Sequence, residues 1–200
     1  KSQTYQNFHL VLIDDGSTDG TATMVRKNID SVTILKGNGN LWWAGALQKG
    51  YQWLLQNGAV KKSDIVLIAN DDIQFKPDFF DIALNRMDNH NKCLLSAQIR
   101  KLNTNEILKN GVAANFKRLS FHESKQPLET NCLPTNALFL TFKDFKEIGG
   151  FYPKILPHFL SDYEFTIRPY KKNYKLIVDQ KLIAWINSNS TWNIEKQYND

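Results

Sequence analysis

Cysteine is scarce in this chain: Cys93 and Cys132 are the only two among 200 residues. That excludes a disulfide-dense scaffold. Neither thiol lies at ligand spacing from His9, His90, His122 or His158, which also argues against a clustered zinc site. Both sit among apolar neighbours and are expected as reduced, buried thiols. Long apolar runs are missing too. No stretch approaches the length that crosses a bilayer, and Lys1 to Gln6 lack the apolar middle of a signal peptide. A soluble chain working in the cytoplasm is expected, with at most a peripheral hold on the inner face of a membrane. No repeat, low-complexity tract or linker divides the sequence, so one domain is expected. The net charge of +5 comes from scattered lysines, among them the pairs Lys61-Lys62 and Lys171-Lys172. Such scatter fits a solvated surface or weak attraction to anionic lipid. Without a basic groove or a nucleic-acid motif, no nucleic-acid partner is expected.

A hydrophobic content of 42% with 12% aromatics is enough for one sizeable core. Apolar segments alternate with helical periodicity: Phe8 to Ile13 as strand, Asp19 to Ile29 as helix, Val32 to Leu35 as strand, Ala44 to Gln56 as helix, Ile65 to Ala69 as strand. A helix from Pro77 to Met87 and a strand from Leu94 to Ile99 continue the alternation, which predicts a largely parallel, doubly wound sheet. Lys101 to Asn131 is polar and mixed. Ala137 to Phe142 then reads as strand, Lys143 to Ile148 as a short helix closed by Gly149-Gly150, and Ser161 to Lys172 as a helix that Pro169 ends early or kinks.

The chemistry gathers at strand ends. Asn70-Asp71-Asp72 terminates the run Asp64 to Ala69, which reads as a strand buried on both faces, so its carboxylates emerge at the edge where open α/β sheets bind ligands. Adjacent hard oxygen donors suit Mg²⁺ or Mn²⁺ bridging to a diphosphate, and a nucleotide-sugar site is the leading idea. The plainer alternative is a turn that stops a strand. Leu12 to Thr21 joins the first strand to the first helix at the same edge. Asp14 and Asp15 there can accept hydrogen bonds from a base or from ribose hydroxyls, and Gly16 lets backbone approach a ligand. Ser17, Thr18 and Asp19 read as helix caps. In Gly37-Asn38-Gly39-Asn40-Leu41-Trp42-Trp43-Ala44-Gly45, Trp42 stands where a dinucleotide turn has its third glycine, which argues against an NAD site. The run reads instead as a loop with backbone amides near the donor's phosphate or sugar. Asn40, Trp42 and Trp43 are candidates to wall that pocket, the alternative for paired aromatics at a helix start being core.

Ser161 and Glu164 read as a capping box, with Glu164 also paired to Arg168 one turn on. Asp162 then lies in the first turn, kept ionised by the helix dipole and aimed toward the sheet edge. Residues two apart on a helix point roughly 200° from one another, so Asp162 and Glu164 are not expected to share a role; Asp162 is the candidate and Glu164 its alternative. His158 either lines an acceptor cleft or fixes its loop. Thr135 and Asn136, ahead of the Ala137 strand, carry the same two readings.

Asp14 to Thr21, Gly37 to Gly45, Asn70-Asp71-Asp72, Gly149-Gly150-Phe151 and Leu160 to Arg168 stand in an order that resembles the family 2 glycosyltransferases, whose fold is called GT-A. Within that family the rhamnosyltransferase-like branch is the most similar, and the likeness spans most of the chain. It implies an α/β, Rossmann-like GT-A domain over residues 1–200 with a mostly parallel sheet. Residues 1–100 would form the nucleotide-sugar half, and 101–200 the acceptor and base half. The activity implied is inverting transfer of a sugar from a UDP- or dTDP-linked donor to a glycan or lipid-linked acceptor, as in surface polysaccharide biosynthesis. The resemblance implies that Asp14 or Asp15 contacts the base and that Asp72, with Asn70 or Asp71 beside it, holds ribose and metal. Asp162 matches the acid that takes the acceptor's proton.

Three departures stand out. Asn70 replaces an Asp common in relatives, and Asn187 falls where relatives carry a His after the strand that follows the base helix. Both substitutions point to loose or Mg²⁺-like metal use. Lys1 to Phe8 resembles the loop before the family's second strand, so the first strand and helix are expected to be absent from this sequence, leaving a slot beside Phe8 to Ile13 for another segment or chain. These departures keep a rival open, a non-catalytic nucleotide-sugar-binding module or inactive fragment. A nucleotidyltransferase is disfavoured because no Gly-rich, Lys-bearing triphosphate loop is present.

Overall fold

In the computed structural model, residues 2–88, 90–118, 120–124 and 129–187 are described. Aliphatic and β-branched runs become strands, beginning with β1 (Leu10–Asp14) and β2 (Val32–Lys36). These pair in parallel from Leu10 opposite Val32 to Asp14 opposite Lys36. Helix α1 (Thr21–Asn28) connects them, and α2 (Trp42–Gln56) leads on to β3 (Ile65–Ala69) and β4 (Ile73–Phe75). Then come α3 (Phe79–Met87), β5 (Cys93–Lys101), β6 (Ile107–Lys109), β7 (Val112–Asn115) and β8 (Ser120–Glu123). The chain continues through β9 (Ala137–Thr141), α4 (Phe142–Ile148), α5 (Ser161–Tyr170) and β10 (Lys175–Ile186).

The alternation of strands and helices is as expected, but the main sheet is mixed rather than mostly parallel. Its order is β3-β9-β5-β10-β4, with β6 on the side of β5. Among the described residues only β5 and β10 run parallel in it; β3–β9, β5–β9, β5–β6 and β10–β4 are antiparallel. The cause lies in the connections. A parallel neighbour needs a crossover, whereas the mixed stretch after β5 folds into the β7–β8 hairpin and returns β9 between β3 and β5 in the opposite direction. Asp71 and Asp72 turn the chain straight into β4, a three-residue strand too short to announce itself by periodicity.

Side chains of the sheet alternate between two cores, as the period of two demands. Leu94, Leu138 and Leu140 face α2, α4 and α5, joining Phe145, Phe151 and Phe165. Cys93, Leu95, Ala97 and Phe139 face α3, joining Phe79, Ala83 and Met87. Burial pushes the thiols of Cys93 and Cys132 up to about 12, so both remain protonated and unpaired as expected. Helix α4 is capped by Thr141, whose hydroxyl accepts the Asp144 N–H at 3.0 Å and donates to its carboxylate at 2.7 Å. Gly149, at φ 89°, closes it. Pro169 is accommodated in the last turn of α5, which ends at Tyr170.

Among the described residues, β1 pairs with β2 alone and β3 with β9 alone, so the β1–β2 pair is not hydrogen-bonded to the main sheet. Helix α2 ties the two together: its Gly50 packs on Ile13, while Trp43, Leu47 and Leu54 enter the core beside Ile68 and Leu138. Among the described residues no helix is long and apolar enough to cross a membrane.

Phe165 is fully buried and stacks on Phe151 with ring centroids 4.4 Å apart. Phe165→Ala is expected to cost about 3–5 kcal/mol, lowering the melting temperature by on the order of 10 °C in a thermal unfolding scan.

Candidate functional site

The parallel register that ends at Asp14 and Lys36 delivers two loops to one edge. Asp15 fastens them together: one carboxylate oxygen accepts the Gly39 N–H at 2.8 Å and the other the Leu41 N–H at 2.7 Å. The Gly37 N–H donates to the Asp14 carbonyl at 2.7 Å, and Gly16, at φ 85°, lies so close that an added Cβ would sit 3.3 Å from Gly39. Asp14 accepts the Ser17 N–H at 2.9 Å, and the Ser17 hydroxyl and amide hold its carboxyl below the usual range. These bonds correct two expectations. The amides of Gly37, Gly39 and Leu41 are taken by Asp14 and Asp15, and that of Asn40 by the Asn38 side chain, so they do not await a phosphate. Gly16, expected to let backbone approach a ligand, makes a close loop-to-loop contact with Gly39. Helix α1 starts later than expected, after Gly20, with Asp19 accepting the N–H and hydroxyl of Thr21 at 3.0 and 2.6 Å.

The two tryptophans part company at the start of α2. Trp43 packs on the core and its indole N–H donates to the Thr135 hydroxyl at 3.2 Å. Trp42 is 61% exposed and adopts a left-handed φ of 55°. Asn40 is exposed as well. Thr135 and Asn136 are buried immediately before β9. The Asn136 carbonyl accepts the Asn70 N–H at 3.1 Å, extending the β3–β9 pairing past Ala69 and Ala137. Three side-chain oxygens at this edge, those of Asn70, Asp72 and Asn136, are buried without a hydrogen-bond donor. Asp71 is exposed beside them. One register step beyond the Ile186–Ile73 pair lie Asn187 and Asp72, so Asn187 comes to the neighbourhood where a further ligand is expected.

Helix α5 brings Asp162 to the same segment. Leu160, at φ 62°, precedes the helix and gives no side-chain cap. The expected capping box is absent, because the Ser161 hydroxyl donates back to the His158 carbonyl at 2.7 Å. Glu164 does pair with Arg168, at 2.8 Å. Burial pushes the Asp162 carboxyl above the ordinary carboxylate range, against the opposing pull of the Tyr163 amide, Lys109 and the Thr135 amide. Thr166, fully buried one turn later, both donates to the Leu133 carbonyl at 2.9 Å and accepts its N–H at 3.0 Å. It clamps the 133–136 segment to α5. The sequence reading missed this residue, although its spacing of four from Asp162 on one helix was available as a signal.

Asp162, Thr135, Asn136, Asn70 and Asp72 are thus contiguous, with Trp43 linking them to the loop that Asp15 holds. Among the described residues, no group of three or more His, Cys, Asp or Glu is gathered to hold a metal ion. The orphaned Asp72 carboxylate oxygen beside amide oxygens is nevertheless a hard donor set, which fits Mg²⁺ or Mn²⁺ completed by oxygens of a bound diphosphate.

Because folding favours the protonated form of Asp162, its contribution to stability is present in acid and is lost as pH rises past its elevated value. Asp162→Asn is therefore expected to raise the melting temperature at pH 7. The gain should vanish below pH 3.8, the group's ordinary value. Melting curves of both proteins across that range check it.

The profile of the family described as Glycosyl transferase family 2 matches residues 1–148. Among curated proteins none matches significantly. Solved structures share the fold. GalNAc-T7 in complex with UDP, GalNAc and Mn²⁺ aligns at a TM-score of 0.73 and 12% identity, over 92% of this chain and 39% of its own. The mannosyltransferase PcManGT from Pyrobaculum calidifontis, in complex with GDP-Man and Mn²⁺, aligns at 0.65 and 15% identity over 96% of this chain and 51% of its own. TarS from S. aureus aligns at 0.67 and 17% identity over 93% of this chain and 32% of its own. This chain spans between 32% and 51% of the length of PcManGT, GalNAc-T7 and TarS. At such identities the likeness speaks for the fold alone, a single GT-A α/β domain with a mixed sheet. With the family profile covering residues 1–148 of 200, the chain belongs to glycosyl transferase family 2.

Proposed function

We propose that this chain is the catalytic domain of an inverting glycosyltransferase that moves a sugar from a UDP- or dTDP-sugar to a hydroxyl of a glycan or lipid-linked acceptor. The observation that supports it most is the joining of a half-buried Asp162 to the unpartnered oxygens of Asn70 and Asp72 through Thr135 and Asn136. The acceptor O–H gives its proton to the Asp162 carboxylate while the oxygen attacks the anomeric carbon from the side opposite the leaving group. The bond to the nucleoside diphosphate breaks in the same displacement, so the configuration inverts. A carboxyl with a raised proton affinity is a stronger base for this transfer than an exposed one. Asp72, with Asn70 and Asp71 beside it, would hold a divalent cation, which when bound offsets the charge developing on the departing diphosphate.

Asp14 is the better candidate for the base of the nucleotide, since both oxygens of Asp15 are engaged in holding the 37–41 loop. Residues 1–100 then serve the donor, and 101–200 the acceptor and the base. A rhamnosyltransferase-like role in surface polysaccharide assembly, at the cytoplasmic side of a membrane, follows from the same reading.

A second reading, a non-catalytic nucleotide-sugar-binding module, is favoured by the lack of a gathered acidic cluster among the described residues. Turnover separates the two. In the full-length protein, Asp162→Asn should lower acceptor-dependent release of nucleoside diphosphate by about 10²–10⁴-fold while retaining the donor-induced rise in melting temperature. The acid limb of the rate profile should lie above pH 3.8, because protonated Asp162 cannot accept the proton. Donor binding without transfer to any acceptor would support the module instead.

A further inference from the structure

The exposed apolar side chains of this protein include a group at the loop that leads into the helix of Asp162. Phe159 is 69% exposed and lies three residues before the base, and Trp42 neighbours Trp43, whose indole binds Thr135. The imidazole of His158 bridges them. Its centroid is 5.7 Å from that of Trp42 at an interplanar angle of 57°, and 4.7 Å from that of Phe159 at 69°.

We propose that Trp42, His158 and Phe159 form the platform on which a pyranose ring of the acceptor stacks. The proposal rests on the glycosyltransferase reading above and deepens it. Three observations support it. The rings are held in place although they avoid the core: the Ala44 N–H donates to the Pro157 carbonyl at 2.9 Å, and the Ser161 hydroxyl to the His158 carbonyl at 2.7 Å. The bulky residues at both ends of the cluster, Trp42 and Leu160, take left-handed backbone angles of 55° and 62°, a strain that persists only where the surroundings impose it.

The chemistry is mixed in the way a sugar is. Two aromatic faces suit the C–H face of a pyranose. Among the described residues nothing hydrogen-bonds the two imidazole nitrogens between them, which suit its hydroxyls. The cluster is tied to the segment of the base: Phe159 precedes Asp162 by three residues, and Trp43, next to Trp42, binds Thr135, whose amide bears on the Asp162 carboxylate. Trp42 thereby serves the acceptor rather than the donor for which the sequence proposed it.

The test is saturation-transfer NMR on the full-length protein with UDP present, using methyl β-D-glucopyranoside, methyl N-acetyl-β-D-glucosaminide and methyl α-L-rhamnopyranoside as probes. At least one glycoside should receive saturation at its ring protons, and Trp42→Ala and Phe159→Ala should each reduce that signal several-fold, with Phe159→Tyr restoring it. Both side chains are exposed, so the variants should melt within about 2 °C of the parent, as surface substitutions do. Three outcomes overturn the platform: transfer to none of the glycosides, equal signals in the alanine variants, or loss in those variants of co-sedimentation with phosphatidylglycerol vesicles while the glycoside signals persist. A donor panel on the parent protein keeps the two readings apart. If no nucleotide sugar raises its melting temperature, the glycosyltransferase reading fails; if one does and the glycoside result is negative, only the platform fails.

Discussion

The buried pair Thr135-Asn136 answers to hydrogen-bonding demands from three directions. The Thr135 hydroxyl accepts the Trp43 indole N–H, the Asn136 carbonyl accepts the Asn70 amide, and the Thr135 amide bears on the Asp162 carboxylate. Thr166 fixes the approach to this pair from below by exchanging two hydrogen bonds with Leu133. A buried backbone segment cannot leave such groups unpaired without a large cost, so the pair is over-determined. Helices α2 and α5 and strand β3, which come from distant parts of the chain, are consequently held to one point at the carboxyl end of β3.

That arrangement carries visible costs. Asp162 is half-buried against its preference for water, and among the described residues the oxygens of Asn70, Asp72 and Asn136 have no donor. Nothing in the packing of the two hydrophobic cores requires these polar groups. Uncompensated groups gathered at one sheet edge are the pattern of a site that spends stability on function. Asp15 shows the opposite pattern. Each of its carboxylate oxygens accepts a backbone amide, closing the 37–41 loop onto the first strand.

Much of this was legible in the sequence, and the rest was not for identifiable reasons. Strand and helix positions followed from apolar periodicity, and Asp162 in the first turn of α5 and the Glu164–Arg168 pair followed from helical spacing. Sheet direction did not, because the polar stretch between β5 and β9 encodes a hairpin rather than a crossover helix, and periodicity says nothing about strand order. Residue type did not tell how Ser161 or Asp15 would use its oxygen atoms. Ser161 lies inside the helix instead of before it and bonds back to His158, while the partners of Asp15 lie 24 and 26 residues away. The Trp42-Trp43 doublet carried two opposite environments that sequence cannot distinguish, since one indole is core and the other faces out.

The convergence of these groups on one nucleotide is tested most directly by a crystal structure of the full-length protein with UDP and Mn²⁺ bound. The account predicts the diphosphate and cation against Asp72 and Asn70, with the Asp162 carboxylate opening onto the same hollow. A nucleotide bound elsewhere, or an Asp162 carboxylate sealed off from it on another surface, would contradict the account.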